Sequence, residues 1–414
     1  MLSHLGDRRC LGGMTAHNAT QHTTKVVVIG GGYSGTLAAN HLRMRGDIDI
    51  TLVNPRPRFV ERIRLHQLVA GTHEATADYG PLLGEDIKLV VDTATRIDVT
   101  NRTVELANRP ALEYDYVIYA VGSTGQVPAS VPGAAEHAYP LAEFEQAQRL
   151  RGVIEDLHPD APLTVVGAGL TGIEAATELA EQGHNVTLVC GGRLGPYLSE
   201  PGRRSVAKAL RKLGVTVLET DVVSEVRPHA VVFADGAVRP SAATIWTAGF
   251  GVPDLATASG LHTDEIGRLL TDETLTSVDD PRIVAAGDCA SPSGVPLRMS
   301  CQSASPLGAQ AANTILSRVA GTTPAVIDQA FSGACISLGR KSGILQFARK
   351  DDTAVNVQFR GRVVASVKEA VCKGTLWALR REAAKPGSAV WLKGGPRPEQ
   401  AVGTQGDSMN RVAG

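Results

Sequence analysis

Cysteine is scarce in this chain and poorly placed for chemistry. Cys10, Cys190, Cys289, Cys301, Cys335 and Cys372 are scattered over 414 positions, with no CxxC pair and no metal-ligand spacing. That pattern argues against a disulfide framework and a zinc site. It also argues against a thiol relay, which needs two thiols able to meet. Such sparse cysteine fits a reducing cytosol. Long apolar runs are missing too: nothing approaches the ~20 residues that span a bilayer. The first 24 residues are polar and turn-rich, without the apolar stretch of a signal peptide. Any membrane contact is therefore peripheral, on the inner face. A formal net charge of -1 gives no reason to expect nucleic acid as a partner. No Ser-His-Asp constellation stands out.

What the chain has is glycine, 44 residues of it, beside 43% apolar and 20% charged residues. This composition suits an α/β protein with many tight turns, and the length allows two or three domains. The decisive stretch is Val26–Ile29 followed by Gly30-x-Gly32-x-x-Gly35 and a helical pattern. A strand that feeds a glycine turn into a helix N-terminus makes a cradle for pyrophosphate. The first glycine allows the turn, the second admits the phosphates, and the third lets helix and strand pack closely. The free N–H groups and the dipole of the first helical turn supply the positive end. One such motif is weak. A second, Leu163–Val166 leading into Gly167-x-Gly169-x-x-Gly172, stands in the same context.

The parts after each motif recur in order. Strands are expected at Asp49–Val53, Ile87–Val91 and Tyr114–Ala120, the last closing at Gly122, with a hairpin at Arg96–Leu106. In the second half they fall at Asn185–Val189, Val215–Glu219 and Thr244–Ala248, the last closing at Gly249, with a hairpin turning at Asp235-Gly236. This is an internal duplication. A third marked site is the short strand ending in Gly287-Asp288, followed by a helix from about Pro306 to Val319. Phe331–Val364 reads as an antiparallel sheet and Val367–Ala384 as a partly basic helix. Residues 1–24 read as a disordered leader or a misplaced start, and 386–414 as a flexible tail.

Two dinucleotide cradles need two dinucleotides, and the economical chemistry is electron transfer between them. On these motifs the chain resembles the flavin-dependent pyridine nucleotide oxidoreductases with two Rossmann-like domains, over about residues 25–380. The resemblance implies an α/β fold of tandem FAD- and NAD(P)-binding domains with a small C-terminal α+β domain. It places a discontinuous FAD domain at 25–150 and 266–325, the NAD(P)H domain at 151–265, and the C-terminal sheet and helix at 326–385. It assigns Gly30, Gly32 and Gly35 to the ADP part of FAD, and Gly167, Gly169 and Gly172 to NAD(P)H. Gly287 and Asp288 fall to the flavin ribityl and phosphate, and Gly122 and Gly249 to the crossings between domains. Asp288 also has a physical warrant, because a carboxylate after a buried strand is costly unless hydrogen-bonded; the alternative is a turn cap. Glu174 takes the position of a family residue near the nicotinamide side of the flavin. Without the resemblance it is a first-turn helix acid favoured by the dipole.

Two positions depart from the family pattern. Asn54 replaces the acid expected at the flavin ribose, weakening rather than abolishing FAD binding. Cys190 stands where an acid would select NADH, with Arg193 close by, which tilts toward NADPH; Arg193 reads equally well as a solvated side chain. The segment after Gly287-Asp288 and the basic terminal helix resemble type II NADH dehydrogenases, where a Gln faces the quinone; Gln302 is the residue carried over. Val367, Val371 and Ala378 form a stripe on the terminal helix, for domain packing or for a membrane. Arg62 and His66 point at the cleft or form a solvated surface. Cys289 and Cys301 are the thiols nearest the flavin strand, both read as packing. The expected activity is electron transfer from NAD(P)H through FAD to a quinone or another small acceptor. A ferredoxin- or rubredoxin-type reductase and an apoptosis-inducing-factor-like flavoprotein are the alternatives, and a homodimer is compatible with all three.

Overall fold

The first glycine turn starts from the middle of a parallel sheet, described with the rest of residues 23–395 and 397 by a computed structural model. The expected leader (bar its last two residues) and the far end of the tail lie outside the described residues. Strand β1 (Thr24–Ile29) feeds helix α1 (Tyr33–Leu42), and β2 (Ile48–Asn54) pairs parallel to β1. A short helix, α2 (Leu65–Val69), precedes β3 (Ile87–Val91) and β4 (Tyr116–Tyr119). The chain then builds a second parallel sheet from β5 (Ala138–Pro140), β6 (Pro162–Val166), β7 (Asn185–Val189), β8 (Thr216–Leu218) and β9 (Ala243–Trp246). Its helices are α3 (Phe144–Asp156), α4 (Leu170–Glu181) and α5 (Glu200–Lys212). Finally β10 (Ile283–Ala285) returns to the edge of the first sheet beside β4. The orders are β10-β4-β1-β2-β3 and β5-β9-β6-β7-β8, each parallel throughout. Covered on both faces, such strands read as unbroken Val/Ile/Leu runs.

Helix α1 is buried along its whole length because α6 (Cys301–Val319) crosses it. A methyl group on Gly308 of α6 would lie 2.3 Å from the Ser34 carbonyl oxygen, so the two backbones touch there. Helix α6 begins at Cys301 rather than near Pro306, capped by the Ser300 hydroxyl, which accepts from Ser303 N–H. Proline inside a helix frees the carbonyl four residues back. Here that carbonyl belongs to Gln302, and the Gln329 amide donates to it at 3.2 Å.

The C-terminal part is an antiparallel sheet of β11 (Gly333–Ser337), β12 (Gly343–Ala348) and β13 (Ala354–Arg360), closed by α7 (Arg362–Ala384). Of the expected stripe on α7, Val367 and Val371 are exposed, as are Val363 and Trp377 beside them, whereas Ala378 is half-buried. The expected flexible tail is docked over its first ten residues. Trp391 Nε1–H donates to the Asp328 carbonyl at 2.9 Å, and Gly394 and Gly395 N–H donate to the Asp328 carboxylate. Helix α2 carries Leu65, Leu68 and Val69 into the core of the second sheet, with Leu150, Leu179 and Ile245. The two crossings, Thr124–Gly125 and Phe250–Gly251, pair as a short antiparallel ribbon.

Candidate active site

Both glycine turns have the same internal geometry. Gly30 sits at φ +106 and Gly167 at φ +103. A methyl on Gly30 would meet the Ala120 carbonyl oxygen at 2.3 Å, and one on Gly167 the Ala248 nitrogen at 2.7 Å. Methyls on Gly35 and Gly172 would each fall 1.8 Å from a carbonyl oxygen, of Gly30 and Gly167 respectively. The middle glycines differ from these: Gly32 and Gly169, at the N-caps of α1 and α4, face open space. Packing thus demands four of the six glycines, while the other two leave room for phosphate beside a helix N-terminus. That division of labour is what a dinucleotide cradle needs.

A cavity of about 510 Å³ runs along the first turn and reaches the second unit. Its walls include Gly32, Asn54, Arg62, Gly122 and Asp288 from one side, and Thr171, Trp246 and Gly249 from the other. At its floor, Asp288 Oδ2 accepts from the Ser123 hydroxyl at 2.6 Å, and the Arg62 guanidinium donates to Ser123 Oγ at 3.0 Å. Asp288 Oδ1 is buried and without a hydrogen-bond partner among the described residues. Burial pushes this carboxyl above the ordinary range, against the pull of Ser123 and Arg62. A lone acceptor in this position suits a polyol hydroxyl. The residues present therefore fit a flavin dinucleotide: an open turn for its phosphates and an orphaned carboxylate for its hydroxyls.

Several expected site residues do other work. Asn54 Oδ1 accepts from Gly31 N–H at 2.9 Å and its amide donates to the Arg56 carbonyl at 2.7 Å, so it fastens the glycine turn from the cleft wall. Gly287, at φ +82, is where β10 turns, pressed against Ser34. Gln302 is not among the cleft-lining residues; its amide donates to the Ser332 hydroxyl at 2.8 Å. A position facing an acceptor is therefore not what the structure gives it. Arg193 is half-exposed beyond β7, 3.6 Å from Glu200 and away from the cavity. Cys289 packs in the core, its thiol donating to the Tyr119 carbonyl, with burial pushing it up to about 12. Cys301 differs, since it lines the cavity.

Glu174 also turns away from the cavity, although Thr171 one turn earlier lines it. Its Oε1 accepts from Ser337 N–H and from the Lys368 ammonium, both at 2.9 Å. Burial raises this carboxyl, but Lys368, His66 and the Ser337 N–H outweigh burial and hold it below the ordinary range. Burial opposes the Lys368 charge, and Glu174 restores it, leaving that ammonium above its usual value. Arg62 and His66 are not a solvated surface. Arg62 lines the cavity, whereas His66 is buried against α4. The Lys368 contact depends on α7 packing against β11 and β12, which brings its ammonium to Glu174 of α4, and in the sequence only the basic character of that helix hints at it.

The pyridine nucleotide-disulphide oxidoreductase family matches residues 24–312, which take in both glycine turns and Asp288. The chain belongs to this family. It is accordingly an NAD(P)H-dependent flavin oxidoreductase, and the resemblance stated from its motifs holds. An NADH dehydrogenase-like protein of Mycobacterium tuberculosis is 30% identical over 324 residues, spanning 71% of this chain and 80% of the relative. The type II NADH:quinone oxidoreductase of the same organism is 28% identical over 358 residues, spanning 75% and 76%. In fold, the sulfide:quinone oxidoreductase of Aquifex aeolicus matches with a TM-score of 0.76 at 19% identity, covering 88% of this chain and 93% of that one.

Proposed function

We propose that the chain is an FAD-dependent NADH:quinone oxidoreductase. One cavity touches both glycine-turn units, and this observation carries the reading. Bound FAD would supply the two-electron carrier between donor and acceptor. Gly32 and the start of α1 would hold its pyrophosphate, Asp288 its hydroxyls, and the two units correspond to FAD and NAD(P)H domains. Gly169 and the start of α4 receive the donor's pyrophosphate, and the cleft orients its ring. Arg193 is exposed and outside the cavity lining, and the type II NADH:quinone oxidoreductase relative supports NADH as the donor. The type II NADH:quinone oxidoreductase relative supports a quinone as acceptor. The apolar stripe of Val363, Val367, Val371 and Trp377 supports peripheral contact with a membrane, where quinones reside. Among the described residues, no helix is long and apolar enough to cross one.

The test is anaerobic reduction of the purified holoprotein with NADH and NADPH in parallel, followed by reoxidation with a soluble quinone, oxygen and a ferredoxin. Bleaching by NADH and recovery with quinone is the expected result. A protein that takes up no FAD, or fast ferredoxin turnover while every quinone fails, overturns the reading.

A further inference from the structure

Four arginines stand close together between β2 and α2: Arg56, Arg58, Arg62 and Arg64. Three of them meet carboxylates. Arg56 Nε lies 2.6 Å from Glu145 Oε1 and Arg58 Nε 3.0 Å from Asp78 Oδ1, while the buried Arg64 pairs with Glu61 at 3.1 Å and Glu369 at 2.9 Å. Arg62 is the exception, for no carboxylate among the described residues forms an ion pair with it. Its Nη1 donates to the Ser123 carbonyl at 2.6 Å and to Ser123 Oγ at 3.0 Å. The remaining N–H groups of this guanidinium have no hydrogen-bond partner among the described residues. Asp288 is reached only through the Ser123 hydroxyl.

The backbone keeps Arg62 where it is. It opens a short turn, Arg62–Arg64, that leads directly into α2, and α2 is fixed by Leu65, Leu68 and Val69 in the core of the second sheet. Arg62 and Ile63 therefore line the cavity, whereas Arg64 turns into the interior. Arg56 and Arg58 line the cavity too, with their charges already matched. A half-buried guanidinium with donors unspent and no counter-charge is costly unless an anion comes to it. The phosphates of a dinucleotide already have the positive end of α1, and Asp288 takes hydroxyls. The ring is what remains. Bound FAD that accepts hydride from NADH, two electrons with one proton, releases NAD⁺ and gains one negative charge on its ring.

We propose that Arg62 is the counter-charge for that ring, and that its guanidinium raises the reduction potential of the bound flavin. This rests on the flavin dinucleotide reading of the cavity and is independent of the acceptor. No bond to Arg62 forms or breaks; it acts through its charge, which counts for more in a water-poor cleft than at the surface. Ser123 is the positioning residue, holding Nη1 by two oxygens so that the charge stays beside the cavity floor.

The test uses reconstituted holoprotein, with Arg62→Gln removing the charge and Arg62→Lys keeping it. In a potentiometric titration of bound FAD, Arg62→Gln should lie about 30–60 mV below wild type, a ten- to hundredfold loss in the reduction equilibrium of a two-electron couple. Arg62→Lys should stay close to wild type. Sulfite, which adds to oxidised flavins and leaves the ring negatively charged, gives a readout without turnover. It should bind wild type and Arg62→Lys, and bind Arg62→Gln about tenfold or more weakly. Equal potentials and sulfite affinities in wild type and Arg62→Gln overturn the proposal. An equal shift in both variants also overturns it, because Arg62 would then be a brace for Ser123. Weaker FAD binding by Arg62→Gln at an unchanged potential makes Arg62 a phosphate anchor and overturns it as well. If Arg62→Gln does not load, wild type decides: failure to bind sulfite overturns the proposal, and binding that Arg62→Lys retains supports it. Wild-type protein that takes up no FAD defeats the flavin reading first and this inference with it.

Discussion

Lys368 holds its ammonium 2.9 Å from Glu174 Oε1, so the C-terminal helix places a positive charge behind the second glycine turn. Breaking a buried pair from one side strands the other charge, at about 3–5 kcal/mol. Lys368→Met should therefore lower the melting temperature markedly, and Glu174→Gln added to it should restore much of the loss. Thermal melts of the two singles and the double check this; additive losses would contradict the pairing.

The glycines of each turn should separate into two classes. Gly35→Ala forces a methyl onto the Gly30 carbonyl and should prevent folding or cost more than about 3 kcal/mol. Gly32→Ala meets nothing among the described residues, so it should fold normally and bind FAD about 10–100-fold more weakly. Gly169→Ala should instead keep FAD and raise the KM for NADH. Absorbance of the purified variants and a cofactor titration distinguish these outcomes.

Asp288 should be a liability without its ligand. Asp288→Asn removes a buried, half-partnered carboxylate, at a saving of about 1–3 kcal/mol. The flavin-stripped variant should melt higher than stripped wild type, while the loaded variant binds FAD less tightly. Equal melting of the two stripped proteins would count against it.

Acid should weaken the fold in two steps. His66 takes a proton at about 4 when folded, against 6.5 unfolded. Its contribution is complete above 6.5 and is lost as pH falls through the folded value. Glu369 is held down to about 2 by its hydrogen bond to Arg64, against an ordinary 4.5, so its contribution disappears only below 4.5. His66→Gln should flatten the upper step and Glu369→Gln the lower one. Denaturant melts across this pH range give the comparison.

Charge at the far end of the second unit should govern donor choice. Glu200→Ala frees Arg193 and should lower the KM for NADPH several-fold, with little change for NADH. Steady-state kinetics with both donors decide it.

How much of this was legible depended on distance along the chain. Strand, glycine turn and helix are contiguous, so Val26–Gly35 and Val165–Gly172 announce themselves. The start of α6 was misjudged because Pro306 looks like a first helical residue; the Gln329 amide that tolerates it comes from a later loop. Gln302 matched a family position, but its neighbour Ser332 claims its side chain. Residues 386–395 have the composition of a tail, yet the Asp328 backbone and carboxylate hold them in place. The buried cluster of His66, Glu174, Glu178 and Lys368 is drawn from α2, α4 and α7, and no local pattern marks it.

Helix α2 belongs by sequence to the first nucleotide unit and by packing to the interior of the second. Neither half keeps a sealed interior when the other melts, because each would leave Leu65, Leu68 and Val69 stranded in water. Calorimetry should therefore record one endotherm for both halves, and a separately expressed second unit should be insoluble unless residues 65–69 are supplied with it.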